Sequence, residues 1–291
     1  MIKESKSVSD ITVSVSNEIV SRLKHYSMNN PQHFIGQYTY VKASDGQFTC
    51  GKNYIDVFGS PITVIYEIFY CGDDGEYKSL LMNNVLDCIS DTANNSIKIG
   101  VAVVNGEIVD DYVDDVYHEV NHLLQNAMGA SKNETLYDKC VSFIKSVNVD
   151  KPLKAPAYAI YYTFKTEQDS FAPQFYSYLQ RQKSRVTDFE KALYDFPIYR
   201  SLINSYKMTL DNIDDPQIKN VFERIGLTPN KWRQTVESGI QRLKRKLTHA
   251  FQKYTMDSLK IESVRGMIRQ QEYLYERFGN YKLKTELFLD F

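Results

Sequence analysis

Three side chains that can perform chemistry stand close together near the middle of the chain. His118, Glu119 and His122 form the pattern His-Glu-x-x-His, within a stretch whose apolar residues recur at helical spacing. On an α-helix, residues four apart lie on one face, so His118 and His122 can present their imidazole nitrogens to a single ion. Glu119 would then project beside that ion without binding it. The pattern therefore predicts a metal site with a carboxylate next to it.

The ligand types favour zinc, and the carboxylate favours hydrolysis. Zinc binds neutral imidazoles in a tetrahedral arrangement and, in catalytic sites, keeps one position for water. Such a water loses its proton more readily, and a carboxylate such as Glu119 can take that proton and later pass it to a leaving amine. These are the steps of peptide-bond hydrolysis. The sequence thus predicts a Zn²⁺ cofactor, a peptide or protein substrate, and Glu119 as the general base.

A catalytic zinc needs a third protein ligand in addition to the two histidines. Glu167 is the main candidate, because it opens a later stretch with an apolar stripe at helical spacing. Thr166 would cap that helix, with Asp169 three residues further on as its capping partner. Asp169 and Glu134 remain alternative ligands.

These residues also carry a resemblance to a known family. The His-Glu-x-x-His pattern at 118–122, followed some tens of residues later by the segment Glu-Gln-Asp-Ser-Phe-Ala at 167–172, resembles the gluzincin branch of the zincin-type zinc metallopeptidases. The stretch His-Glu-Val-Asn-His-Leu-Leu-Gln at 118–125 is also similar to predicted peptidases of bacteria and their phages. The resemblance covers about residues 97–180. It implies a zincin-like fold in which His118, His122 and Glu167 bind zinc and Glu119 is the general base.

Neighbouring polar side chains are candidates for supporting roles. Tyr158, Tyr161 and Tyr162 could donate a hydrogen bond to a developing oxyanion, although packing in the core explains them at least as well. Asp114 and Asp115 could accept the second N–H of a ligand histidine. As acids in the first turn of a helix they would also complement its dipole, and this second role is favoured.

Strand-like segments precede the motif. Residues 62–70 form the clearest of them, and residues 97–104 and 107–109 flank the dipeptide Asn105-Gly106. Both residues of Asn-Gly tolerate the positive φ of a type I′ turn, so a hairpin is predicted directly before the motif helix. In zinc peptidases a strand beside the active-site helix commonly pairs with the substrate backbone. Substrate pairing and a purely structural role in the sheet both remain open for these strands.

Two shorter segments in the N-terminal half of the chain also have local sequence patterns. Residues 79–90 carry apolar side chains at helical intervals, which predicts a helix. Residues 71–75, with the acidic pair Asp73-Asp74, are typical of a turn, since they lack the ligand spacing of a calcium loop.

The chain beyond Arg181 has a mostly helical pattern. Helical segments are predicted over 187–206 with a break at Pro197, after Pro216, after Pro229 and over 256–278. This region contains a basic cluster, which consists of Arg242, Lys244, Arg245 and Lys246. Such a cluster could bind phosphate backbones, but basic residues on a helix more often form a solvated face.

Composition sets wider limits. The chain has 291 residues, 43% of them hydrophobic, and a formal net charge of −1, which gives no reason to expect nucleic acid as a partner. Its four cysteines contain no Cys-x-x-Cys pair, so neither a thiolate zinc site nor a disulfide framework is predicted. Neither a signal peptide nor a transmembrane segment is indicated. We therefore expect a cytoplasmic protein without membrane contact, associated with a virion if the chain is encoded by a phage.

These observations combine into one prediction. The fold class is α+β, with an N-terminal arm or helix over 1–30, a zincin-like core with a mixed sheet over 31–185, and a helical C-terminal subdomain over 186–291. The predicted function is that of a zinc metallopeptidase. Two alternatives belong to other classes: a phage-type structural or interaction protein with a non-catalytic zinc site, and a nucleic-acid-associated protein that uses the basic cluster.

Overall fold

The computed structural model describes residues 8–29, 38–39, 41–42, 48–49, 53–57, 60–82, 86–127, 135–146, 149–182 and 184–278. The strands in these ranges are β1 (Tyr38–Thr39), β2 (Val41–Lys42), β3 (Phe48–Thr49), β4 (Asn53–Val57), β5 (Ser60–Cys71), β6 (Cys88–Asp91), β7 (Ser96–Val104) and β8 (Glu107–Ile108). The α-helices are α1 (Val8–Asn29), α2 (Asp74–Met82), α3 (Tyr112–Ala127), α4 (Thr135–Lys145), α5 (Ala155–Tyr161), α6 (Lys165–Gln180), α7 (Phe189–Asp195), α8 (Pro197–Asp211), α9 (Pro216–Ile225) and α10 (Pro229–Phe278). A short 3₁₀ helix, Lys151–Lys154, precedes α5. The chain is therefore a mixed α+β protein, as predicted, with a small sheet and many helices.

A mixed sheet is centred on two parallel strands. β5 and β7 run parallel over nine residue pairs, from Thr63 opposite Ser96 to Cys71 opposite Val104. The short strands β1 and β4 pair antiparallel with the far side of β5, while β6 and β8 pair antiparallel with the far side of β7. Within the described part of the chain β6 pairs with no strand other than β7, so β6 is an edge strand.

The predicted hairpin before the motif helix is confirmed. Asn105 and Gly106 both have positive φ, +52° and +81°, and join β7 to β8. The predicted strand over 62–70 is also confirmed, as part of β5. From β8 the chain leads into α3, so the β7–β8 hairpin fixes where the motif helix begins.

The predicted helix over 79–90 is wrong in its second half. α2 ends at Met82, and from Cys88 the chain forms β6, in which Cys88 lies opposite Ile99 of β7. The apolar residues of this stretch fit either periodicity, and pairing with β7 decides the outcome. The turn predicted at 71–75 leads into α2, where the Asp73 carboxylate accepts the N–H groups of Gly75 and Glu76.

Helix α3 lies between the sheet and the helices. Its buried apolar residues pack with the sheet and with α1 in one hydrophobic cluster; they include Val113, Val116, Val120, Leu123 and Leu124. α1 is a helix rather than a flexible arm, and it is joined to α3 by a hydrogen bond from Thr12 Oγ1 to Asn121 Oδ1 of 2.9 Å. A second hydrophobic cluster comprises α4 to α10, and α6 of that cluster packs against α3. The motif helix therefore stands where the two clusters meet.

The C-terminal region is helical, as predicted, with the break before Pro197 that separates α7 from α8. The two segments predicted after Pro229 and from Met256 are a single helix, α10, which packs on α6. Among the helices of the described residues, none combines the length and the apolar composition needed to span a bilayer. Cys71 and Cys140 are buried and Cys88 is half-buried, all three with free thiols, whereas Cys50 lies outside the described residues.

The crossing of α10 with the loop before α6 depends on a glycine. A methyl group at Gly239 would lie 2.3 Å from Cγ2 of the buried Thr163, whereas one at Gly266 on the same helix would meet nothing within 4 Å. We expect Gly239→Ala to lower the free energy of unfolding by about 1–3 kcal/mol, the usual cost of overpacking. Gly266→Ala should instead raise it by up to about 1 kcal/mol, because alanine favours the helix. Chemical denaturation of both variants measures this, and equal stabilisation by the two would contradict the close approach.

Candidate metal centre

The polar face of α3 turns away from its apolar stripe and towards α6. His118 and His122 lie on this face one turn apart and are 7% and 5% exposed, so the helix presents both imidazoles to the protein interior. Burial of two imidazoles is costly unless their nitrogens find partners. The side chain that meets these imidazole nitrogens comes from α6.

Glu167 stands in the first turn of α6 and is fully buried. The residue that begins this helix differs from the prediction. Phe164 occupies the N-cap position and makes no side-chain cap bond, so the capping pair of Thr166 and Asp169 is wrong. The turn ahead of α6 is instead closed by backbone bonds such as Gln168 N–H to the Phe164 carbonyl, 2.9 Å. The carboxylate of Glu167 nevertheless reaches the two histidines.

The three predicted ligands converge on one point. Nε2 of His118 lies 3.0 Å from Nε2 of His122, and Oε2 of Glu167 lies 3.3 Å and 3.5 Å from these two nitrogens. Among the described residues, this is the one cluster of His, Cys, Asp or Glu whose ligand atoms stand close enough together to hold a metal ion.

The separations fit a zinc ion. Bonds of about 2.0–2.1 Å from zinc to nitrogen or oxygen place neighbouring ligand atoms of a tetrahedron about 3.3–3.4 Å apart. The observed 3.0, 3.3 and 3.5 Å bracket that value. Two imidazoles and one carboxylate are also the ligand set of a catalytic zinc with one position left open. His118, His122 and Glu167 are therefore suited to hold zinc.

The electrostatics keep the carboxylate ionised. Burial by itself would raise the pKa of Glu167, but hydrogen bonds from His118 and His122 and their charge outweigh it and hold the pKa well below its usual value. Burial lowers the pKa of His118, yet its contact with Glu167 and the charge of Glu119 raise the pKa overall. Glu167 is thus in the deprotonated form that a metal requires.

The second nitrogen of His122 has partners on both helices. Nδ1 lies 3.4 Å from Gln125 Oε1 and 3.4 Å from Ser170 Oγ, and the Gln125 amide in turn donates to the Thr166 carbonyl at 3.1 Å. An acceptor at Nδ1 places the proton there and leaves Nε2 free to bind a metal. For His118, Nδ1 is buried without a partner among the described residues.

Two tyrosines orient Glu167. The hydroxyl of Tyr137 on α4 donates to Oε1 at 3.0 Å, and that of Tyr161 on α5 donates to Oε2 at 2.8 Å. Burial and the nearby carboxylate raise the pKa of both phenols, so both remain protonated donors. Of the three tyrosines considered as oxyanion donors, Tyr161 therefore reaches the cluster. The rings of Tyr158 and Tyr162 stack on each other, with their centroids 6.2 Å apart.

Glu119 lies beside the cluster and contacts the edge strand. Its Oε2 accepts the backbone N–H of Ser90 at 3.0 Å and the Ser90 hydroxyl at 2.5 Å. Ser90 belongs to β6, so the strand and the motif helix are joined at the carboxylate of the proposed base. Glu119 as a whole is half-buried.

Other candidates are engaged elsewhere. Asp114 binds Arg181 and Ser177, so it is not the partner of a ligand histidine, and its neighbour Asp115 accepts the amide of Gln174 at 3.0 Å. Asp169 forms an ion pair with Lys246 of α10, which draws it away from the histidines. The third candidate ligand, Glu134, lies outside the described residues.

Four residues that contact the proposed ligands or Glu119 were not predicted from the sequence: Ser90, Gln125, Tyr137 and Ser170. Gln125 follows His122 by three residues and Ser170 follows Glu167 by three, so helical spacing was a usable signal for both. Ser90 and Tyr137 come from distant elements, and no local pattern marks them.

Comparison of the chain with protein-family models, with curated proteins and with solved structures finds no match.

Proposed function

We propose that the chain is a zinc-dependent metallopeptidase. The observation that carries this proposal is the convergence of His118, His122 and Glu167 at separations of 3.0–3.5 Å, with Glu119 on the same helix held beside them. Zinc in this position would supply Lewis acidity to a water molecule and to the carbonyl of the bond to be cut.

The chain's own residues supply the proton transfers. Glu119 takes a proton from the attacking water and passes it to the departing amine, the task of a carboxylate positioned beside the reacting atoms. Ser90 fixes the direction of that carboxylate through two hydrogen bonds. Tyr137 and Tyr161 hold Glu167, so the ligand set is preorganised before substrate binds.

The edge strand offers a place for an extended peptide. β6 pairs with β7 on one side and packs against α3 near Glu119. In an antiparallel strand, alternate residues direct their backbone groups away from the partner strand, and the N–H of Ser90 is one of these. Because this N–H already donates to Glu119, a peptide strand at this edge would pair with other backbone groups of β6. A peptide added as a strand at this edge would lie next to the proposed base.

The basic cluster offers less support for nucleic-acid binding. Arg242 donates to Gln168 and to the Thr163 carbonyl, Lys246 pairs with Asp169, and Lys244 pairs with Glu190. Arg245 donates to the Gln241 carbonyl at 3.4 Å, so all four cations bind groups of the chain itself, and two of them, Arg242 and Lys246, contact residues at the start of α6.

Removal of the metal tests the proposed function. Zinc-loaded protein should hydrolyse members of a broad peptide library, and 1,10-phenanthroline should reduce that hydrolysis to background, because the ligands would no longer hold an ion. Added Zn²⁺ should restore it, while the non-chelating 1,7-isomer should have no effect. Hydrolysis that persists at full rate in metal-free protein would contradict the proposal.

A further inference from the structure

A path of buried hydrogen bonds connects the N-terminal helix α1 to the imidazole of His122. Thr12 Oγ1 on α1 donates to Asn121 Oδ1 on α3 at 2.9 Å, and Asn121 Nδ2 donates to Ser170 Oγ on α6 at 3.1 Å. Ser170 Oγ lies 3.4 Å from Nδ1 of His122. Three helices therefore contribute to a path that ends at a proposed zinc ligand.

Every member of this path lies in the protein interior. Thr12 and Ser170 are fully buried, and Asn121 and His122 are 3% and 5% exposed. Burial of an amide and two hydroxyls is costly unless each finds hydrogen-bond partners. Apolar side chains of similar shape avoid that cost, and replacing both partners of a buried hydrogen bond in this way is often neutral for stability. The polar residues therefore point to a role beyond packing.

The hydrogen-bonding capacity of Ser170 fixes the direction of each bond that it makes. A serine hydroxyl has one proton to donate and two lone pairs that accept. Its proton is directed to the Thr166 carbonyl, 3.1 Å away, because a carbonyl can only accept. The amide nitrogen of Asn121 can only donate, so it occupies one lone pair. The remaining lone pair faces Nδ1 of His122 and accepts the proton of that nitrogen.

Thr12 determines which end of the Asn121 amide faces Ser170. The oxygen and nitrogen ends of an amide have nearly the same shape, so the hydrogen bonds that each end makes decide their placement. The Thr12 hydroxyl donates to Oδ1 and thereby directs Nδ2 to Ser170. Without that donor the amide could turn over, and its oxygen would compete with the Thr166 carbonyl for the Ser170 proton. A residue of α1 thus governs the contact that is made at His122.

The same serine joins His122 to the helix that carries the third proposed ligand. Ser170 stands one turn after Glu167, and its hydroxyl bonds to the carbonyl of Thr166, the residue before Glu167. The Gln125 amide also donates to that carbonyl, at 3.1 Å, and its oxygen lies 3.4 Å from Nδ1 of His122. Two acceptors therefore hold the imidazole, one from the motif helix and one that is controlled from α1.

We propose that Asn121, held in place by Thr12, is a positioning residue for His122, so that helix α1 forms part of the metal centre. Asn121 acts through Ser170, which keeps Nε2 of His122 turned towards the other two ligands. This assigns a role to the second variable position of the His-Glu-x-x-His pattern. The inference rests on the zinc site of the proposed function.

Zinc affinity of full-length variants, measured by competition with a chromophoric chelator, tests this role. Thr12→Val removes the donor and keeps the shape, so zinc should bind about three- to tenfold more weakly, the equivalent of one lost neutral hydrogen bond. Asn121→Leu should weaken binding about tenfold or more, the usual effect of losing an outer partner of a ligand histidine. Thr12→Ser retains the hydroxyl and should bind zinc as the unaltered chain does.

Asn17→Ala is the matched control, because it removes a different hydrogen bond between the same two helices. Asn17 on α1 accepts the hydroxyl of Tyr117 on α3, and neither residue belongs to the path to His122. This change should loosen the docking of α1 and leave zinc affinity unaltered. Equal weakening of zinc binding by Thr12→Val and Asn17→Ala would reduce the role of Thr12 to helix docking and overturn the proposal.

The imidazole itself gives a second readout, in protein without metal. The Nδ1–H proton of His122, identified by NMR through its loss in His122→Ala, should be protected from exchange with water in the unaltered chain, in Thr12→Ser and in Asn17→Ala. In Thr12→Val that protection should be lost. Equal protection in Thr12→Val would overturn the proposal. If the unaltered chain binds no zinc, the proposed function fails, while the His122 signal still decides whether Thr12 and Asn121 orient the imidazole.

Discussion

Protein in which both motif histidines are replaced should purify with almost no zinc, whereas the unaltered chain should carry about one ion. His118→Ala/His122→Ala removes two of three proposed ligands, and a lone carboxylate cannot retain zinc against dialysis. His249→Ala is the control, because His249 is exposed on α10 and far in sequence from the motif. Elemental analysis of the three proteins gives the answer. Full zinc occupancy in the double variant would refute the ligand assignment.

The third ligand is tested by the same analysis. Glu167→Ala should lose most of the zinc, because it removes a buried carboxylate 3.3 Å and 3.5 Å from the two imidazole nitrogens. Asp169→Ala should keep the zinc and lose only its ion pair with Lys246, a part-exposed contact worth about 0–1 kcal/mol. If zinc followed the opposite ranking, Asp169 would be the ligand.

The second large effect concerns Glu119. Glu119→Gln keeps the shape of the side chain and leaves all three proposed ligands in place, so zinc content and Tm should change little. The amide cannot accept the proton of the attacking water, and peptide hydrolysis should fall by about 10²–10⁴-fold, the range for lost acid–base catalysis. Glu223→Gln, on an exposed face of α9, is the matched control and should keep full activity.

The motif helix and its hairpin could be predicted because their signals are local. Asn105-Gly106 is a turn sequence with a backbone requirement, and the structure shows the positive φ at both residues. His118 and His122 lie on one face of α3 because four-residue spacing determines this in any helix. Glu167 could be selected for a similar reason, as an acid in the first turn of a later helix.

Predictions failed where distant partners decide the structure. Residues 88–91 became β6 rather than part of a helix because β7 offers them a ladder of backbone hydrogen bonds. Thr166 and Asp169 match a capping pattern, but Asp169 pairs with Lys246 of α10, and Phe164 occupies the N-cap position of α6. The contacts of Ser90 and Tyr137 with the site were not predicted for the same reason, since each joins elements that are far apart in sequence.

The contacts of Asp114, an acid in the first turn of α3, could not be predicted from the sequence for a third reason. An acid early in a helix can complement the dipole, accept a histidine N–H or pair with a cation, and sequence alone does not choose among these. Arg181 and Ser177 approach Asp114 because α6 packs along α3. The geometry of helix packing, rather than the residue type, decides the contact.

Parallel measurement of peptide turnover by wild type and Glu119→Gln tests the central claim most directly. Both proteins are first brought to the same zinc content, and both are assayed on one peptide library. We expect turnover by the wild type and a loss of at least about 10²-fold in the variant. Equal turnover by the two proteins at equal zinc content would contradict the assignment of Glu119 as the base. Absence of turnover in both would contradict the peptidase function itself.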